Sequence, residues 1–254
     1  MYDLTHDSLS EVAIYRAPIT ALTVATRPPF VLLGDLINSV TLLRLDSLFN
    51  GNTEIVTVAR DYAPLWMTSV AMIDESWYIG AEDSGNLAGW KRDDDPTADK
   101  SRLVMVNEMR FGELINRIRL GMVNNSEIPG VEMKALFATV DGTIGIVSML
   151  SEERFAVLEQ LEHKMEEQDM SLGGLEHSRY FPPNIPIRRQ LVNSRWRAFT
   201  NERKKSRTSK GFIDGDFVEG FLDLDPERRA KCCEGIKGGF EEVQRLVEEL
   251  SRLH

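Results

Sequence analysis

Along the first 150 residues the hydrophobic positions fall into short runs, four to seven residues long, divided by turn-forming residues. The runs lie at 21–25, 30–33, 39–45, 54–59, 70–73, 77–81, 86–90, 103–106, 135–140 and 144–147. Between them stand Pro28 and Pro29, Asn50-Gly51-Asn52, Asp83-Ser84-Gly85, Pro129-Gly130 and Asp141-Gly142. Short β-prone segments about ten residues apart predict a sandwich, a barrel or the blades of a propeller. The acidic stretch around Asp93, Asp94 and Asp95 reads as a solvated loop tip.

Beyond residue 150 the period becomes helical. Phe155, Leu158, Leu161 and Met165 recur at three, three and four residues. Ser151 can cap that helix, with Glu152 and Glu153 where its dipole favours negative charge. Gly173, Gly174, Pro182 and Pro183 break the chain before a second helix, expected around 188–204. Asp214 or Asp216 can cap a short helix with Phe217, Val218, Phe221 and Leu222 on one face. That face is expected to bury against the helix carrying Trp196 and Phe199. Asp225-Pro226 is a cap followed by a first-turn proline. Phe240, Val243, Leu246, Val247 and Leu250 stripe the last helix. The plan is a β half over 1–150 and a helical half over 151–254.

Charge narrows the partners. Thirty basic against 40 acidic residues give a net charge of -10, which disfavours non-specific attraction to nucleic acid or anionic lipid. The balance is uneven. Arg188, Arg189, Arg195, Arg197, Arg203, Lys204, Lys205, Arg207 and Lys210 face only Glu202 across 187–210. This segment reads as a solvated helix face running into a basic loop, or as a docking surface for an acidic protein or phosphate backbone. No apolar run approaches the ~18–20 residues needed to cross a bilayer. The first residues lack the basic start and apolar stretch of a signal peptide. Cys232 and Cys233 are adjacent, so a disulfide framework is excluded and a soluble, intracellular protein is expected.

No catalytic constellation stands out. His6, His163, His177 and His254 lie far apart and pair with no Ser or Cys in a nucleophile signature. There is no phosphate-binding Gly-rich loop. Asp214-Gly215-Asp216 lacks the further ligands and closing Glu of a calcium loop. An enzyme is not expected, nor a metal, nor a cofactor.

An ordered series of segments carries more information. It runs Gly34-Asp35-Leu36-Ile37-Asn38-Ser39-Val40, Arg60-Asp61-Tyr62-Ala63-Pro64-Leu65-Trp66, Gly80-Ala81-Glu82-Asp83-Ser84-Gly85 and Gly112-Glu113-Leu114-Ile115-Asn116. It continues through Asp141-Gly142-Thr143-Ile144-Gly145, Arg195-Trp196-Arg197 and Gly211-Phe212-Ile213-Asp214 to Glu248-Glu249-Leu250. The series resembles the C-terminal region shared by the large subunit of the damage-specific (UV-damaged) DNA-binding protein, the large cleavage-and-polyadenylation specificity factor and a spliceosomal branch-site subunit. The resemblance covers nearly the whole chain. The glutamate-rich ending, Thr200-Asn201-Glu202 and Arg60-Asp61 before Pro64 resemble the damage-specific branch more than the RNA-processing ones.

That resemblance implies a fold: part of a seven-bladed β-propeller, about three to four blades, followed by a C-terminal helical domain. Three or four blades cannot close a ring, so a piece of a longer protein is expected. It also implies a role. Members of the damage-specific branch link cullin–RING ubiquitin ligases to their substrates, in nucleus and cytoplasm, and serve DNA repair. The cullin would be held by a region without counterpart in this chain. One wall of the pocket for WD-repeat substrate receptors would be retained here. Ile19, Leu22, Leu36, Trp66, Asn116 and Val140 match the family's pocket residues. Thr20, Thr23 and Asn38 fall at pocket positions where the family more often carries a larger apolar, an aromatic and an arginine side chain. Arg110 stands where the family often has histidine. The competing expectations are core packing for Leu22, Leu36, Trp66 and Val140, and turn capping for Asn116. The alternative function is an RNA-processing scaffold that binds nucleic acid. For the ligase linker, contact with nucleic acid would be indirect, and no membrane is involved.

Overall fold

The computed structural model describes residues 2–5, 8–47, 53–93, 101–121, 128–167 and 209–253. Asn50-Gly51-Asn52, Asp94 and Asp95, the helix expected at 188–204 with Trp196 and Phe199, and His6, His177 and His254 lie outside the described residues. The chain divides into two compact units. The first comprises Met1–Val106, Glu113–Leu120 and Leu136–Gly145, and the second Asn107–Gly112, Gly121–Ala135 and Ile146–His254.

Strands build the first unit. A hairpin of β1 (Tyr2–Thr5) and β2 (Ser8–Glu11) precedes the blades. β3 (Ala21–Arg27), β4 (Phe30–Asp35), β5 (Val40–Ser47) and β6 (Thr53–Arg60) then pair antiparallel in sequence order. β7 (Met67–Met72), β8 (Trp77–Glu82), β9 (Asn86–Asp93) and β10 (Ser101–Arg110) repeat that order. A short parallel link pairs Ala59 and Arg60 of β6 with Ser101 and Arg102 of β10. β11 (Ile115–Leu120), β12 (Val131–Thr139) and β13 (Ile144–Leu150) form a three-stranded sheet, of which residues 131–135 and 146–150 belong to the second unit. The first strands of successive sheets are neighbours, β3 packing on β7 and β7 on β11. Meanders joined by their inner strands are propeller blades. The fold is a partial β-propeller followed by helices.

Burial at the blade contacts explains several residues. Leu32, Val40, Leu42, Met67, Met72, Tyr78, Trp90 and Leu103 form one core. A Cβ at Gly34 would come within 2.6 Å of the Thr23 methyl and 2.8 Å of Met67 Cβ. Blades one and two therefore approach closely only because residue 34 has no side chain.

In the second unit, α1 (Glu152–Glu167) begins with Glu152 and Glu153, as the sequence predicts. A two-residue strand, β14 (Ser209–Lys210), pairs with Glu108 and Met109 of β10. Then follow α2 (Gly215–Glu219), a 3-10 turn (Gly220–Asp223), α3 (Pro226–Cys233) and α4 (Gly239–Leu250). Of the two candidate caps, Asp214 is the one used: its carboxylate accepts the Phe217 N–H at 3.2 Å. Asp225 caps α3 by accepting the Arg228 N–H at 3.0 Å. Val218 and Phe221 are buried in a core with Leu158, Leu161, Met165, Val243 and Val247, with Phe217 and Leu222 at its margin. Among the described residues, then, α1 and α4 receive the face anticipated for the 188–204 helix. Arg154 of α1 pairs with Glu249 of α4 at 2.9 Å.

Candidate functional site

Antiparallel order places the start of β3, the ends of β4, β6, β8 and β12, and the starts of β5, β7, β9, β11 and β13 at the same end of the blades. All seven sequence-predicted positions lie in the first unit, on segments at that end. Hydrogen bonds tie the segments in series. Asp35 is buried, and its Oδ1 accepts the N–H groups of Ile37, at 2.9 Å, and Asn38, making an Asx turn. That turn holds Leu36, whose N–H donates to the Thr20 carbonyl at 3.1 Å beside Ile19. Asn38 pairs in parallel with Leu65, and the Ser39 N–H donates to the Leu65 carbonyl at 3.1 Å. Ser39 takes φ 59°, the left-handed turn that returns the chain into β5.

Trp66 comes next in the series. Its carbonyl accepts the Asp83 N–H at 3.0 Å, while its side chain is 48% exposed. On the following strand, the Thr68 hydroxyl donates to the Ile115 carbonyl at 2.5 Å and Ser69 Oγ accepts the Ile118 N–H at 2.9 Å. Asn116, exposed within β11, thus stands on the strand beside β7, which Trp66 immediately precedes. The Val140 N–H donates to the Leu114 carbonyl at 3.0 Å, just before Asn116's strand begins.

Leu22 is 45%, Trp66 48% and Val140 58% exposed, so none of the three packs in the core formed by the described residues. Leu22 lies on the inner strand β3 and Val140 in the turn after β12. Leu36, Ile19 and Asn38 are half-buried. Asn116 is a strand residue and not a turn cap. Thr20 is exposed. Thr23 is half-buried, its methyl over Gly34, its partner on β4. Arg110 ends β10 and belongs to the second unit. Sequence reasoning passed over Ile37 and Tyr62, both exposed at this same end. The Tyr62 ring carries the Arg102 guanidinium 5.5 Å from its centroid. Tyr62 stands four residues before Trp66, but a lone tyrosine in a loop gives no pattern.

Elsewhere the chemistry is structural. Among the described residues no three His, Cys, Asp or Glu side chains gather in a way that could hold a metal ion. Cys232 and Cys233 are buried free thiols at the end of α3. Burial pushes both thiol pKa values up, Cys233 to about 11 with Cys232 adding to it, so neither is an activated nucleophile. His163 lies 3.6 Å from Glu166 on α1. No helix among the described residues is long and apolar enough to cross a membrane.

These blades and their helical partner define a class, and comparison with known proteins agrees. Residues 1–223 match the family described as the CPSF A subunit region, and the chain belongs to that family. It is 33% identical over 258 residues to DNA damage-binding protein 1 of Oryza sativa subsp. japonica, across 99% of this chain and 22% of that protein. It is 34% identical over 258 residues to DNA damage-binding protein 1a of Arabidopsis thaliana, with the same coverage. To DNA damage-binding protein 1 of Drosophila melanogaster it is 31% identical over 254 residues, covering 93% of this chain and 20% of that one. The chain spans about a fifth of the length of these relatives.

Proposed function

We propose that the chain is part of a DNA damage-binding adaptor that acts as the linker of a cullin–RING ubiquitin ligase. In this reading it supplies one wall of the pocket that receives WD-repeat substrate receptors, in the nucleus and cytoplasm. The observation that carries it is the exposed set Leu22, Trp66 and Val140 with Asn116, on segments joined in series at one end of the blades. Large apolar and aromatic groups held by a rigid scaffold are how interface anchors are built. Nearby relatives are named for binding damaged DNA, which supports a place in DNA repair. Cullin would be engaged outside this chain. The net charge of -10 favours indirect contact with nucleic acid.

A second reading, a scaffold of RNA processing that binds nucleic acid, draws on the description of the shared family. Affinity purification of the full-length protein from cells separates the two. The adaptor reading expects cullin and WD-repeat proteins in the eluate. Polyadenylation or branch-site subunits in their place would overturn it.

A further inference from the structure

The loops that carry Leu36, Asn38 and Trp66 meet at a nearly buried carboxylate. Asp61 is 8% exposed, lies between β6 and β7, and has three donors on its carboxylate. Its Oδ2 accepts the Ser39 hydroxyl at 2.7 Å and Trp90 Nε1–H at 2.9 Å, and its Oδ1 accepts the Ala63 N–H at 3.2 Å. Its own N–H donates to the Val40 carbonyl at 3.0 Å. Ser39 belongs to the turn that carries Leu36 and Asn38. Ala63 opens the loop that carries Trp66. Trp90 is wholly buried in the second blade. One carboxylate therefore joins two loops and two blades.

The geometry points to Asp61 as the positioning residue of this wall: it sets where Leu36, Asn38 and Trp66 stand relative to one another. The inference rests on the adaptor reading for what the wall receives, but the positioning itself does not. Two features of the chemistry select a carboxylate. All three groups arriving at it are donors, and a carboxylate accepts at both oxygens. Asparagine offers one oxygen, so its amide must face either Ala63 N–H or Trp90 Nε1–H, and the indole is a donor only. A buried donor left facing a donor is among the costlier polar mismatches. Ser39, at φ 59°, adds a second sign: a non-glycine residue is kept in a left-handed turn where its hydroxyl reaches Asp61.

The test compares Asp61→Asn with wild type in the full-length protein, by amide exchange and by affinity for a WD-repeat receptor recovered in the purification above. The expected result is faster exchange, by about tenfold, at the Ser39, Ala63 and Leu65 amides, and about tenfold weaker receptor binding. The Tyr78, Ile79 and Gly80 amides, paired on both sides in β8, keep their protection. Ser39→Gly is the milder companion, since glycine accepts the turn and only the hydroxyl is lost; the same loops loosen, to a smaller extent. Unchanged loop exchange in Asp61→Asn overturns the assignment. So does equal loss of protection in β8, which would make Asp61 a general stability residue. Trp66→Ala binding the receptor like wild type would count against the adaptor reading instead, and the exchange measurement, which needs no receptor, still decides the role of Asp61.

Discussion

Phe221 is fully buried at the meeting point of α1, the 3-10 turn and α4, with the Phe240 ring 6.4 Å away. Truncating it leaves a cavity among Leu158, Leu161 and Val247 that helices cannot easily close. Phe221→Ala is expected to lower the stability of the helical unit by about 3–5 kcal/mol in denaturant unfolding. A loss below about 1 kcal/mol would show that this turn is peripheral. The burial of Phe221 was legible in the sequence because a 3.6-residue stripe names its own inward face. The exposure of Leu22 and Val140 was not. A β-strand pattern marks which residues alternate, but whether a neighbouring blade covers them depends on pairings far along the chain. Trp66 and Asn38 became candidates through family resemblance, since the Asx turn at Asp35 and the pairing of Asn38 with Leu65 leave no periodic trace.

At the scale of elements, caps and periods did most of the work. Asp225 before Pro226 announced α3, and its side chain does accept the Arg228 N–H. Asp225→Ala should cost about 1 kcal/mol of helical-unit stability, while an unchanged denaturation midpoint would mean that the cap contributes nothing. β11 escaped notice. Its buried residues Ile115 and Ile118 are three apart, with Asn116 and Arg117 between them, a spacing closer to a helix than to a strand.

α1 carries a pH-sensitive group that no pattern could reveal. Glu162 is buried, accepts the Asp214 N–H at 2.9 Å, and has its pKa raised to about 7. Burial is the main cause; the Asp214 N–H acts against it, and the negative Glu166, Asp214 and Glu159 add to it. Below pH 4.5 Glu162 is protonated in both folded and unfolded states. Between there and about 7 only the folded state holds the proton, so stability falls as pH rises through that window. The helical unit should therefore melt at a lower temperature at pH 8 than at pH 5. Glu162→Gln, which keeps an acceptor for Asp214, should flatten that dependence. A wild-type slope that survives in Glu162→Gln would assign it to another group.

For the whole molecule, the two units differ in what they expose. The helical unit is an ordinary apolar core with capped ends, while the bladed unit leaves Trp66, Leu22, Val140 and Tyr62 in solvent. Under the adaptor reading Trp66, exposed in the loop that leads into β7, is an anchor for the receptor. Trp66→Ala in the full-length protein tests that most directly, with receptor affinity and melting temperature measured on the same sample. The account predicts receptor binding weaker by about thirtyfold, equivalent to about 2 kcal/mol, with a melting temperature that barely moves. A melting temperature lowered by the loss of about 3–5 kcal/mol, with unchanged affinity in the folded fraction, would contradict it.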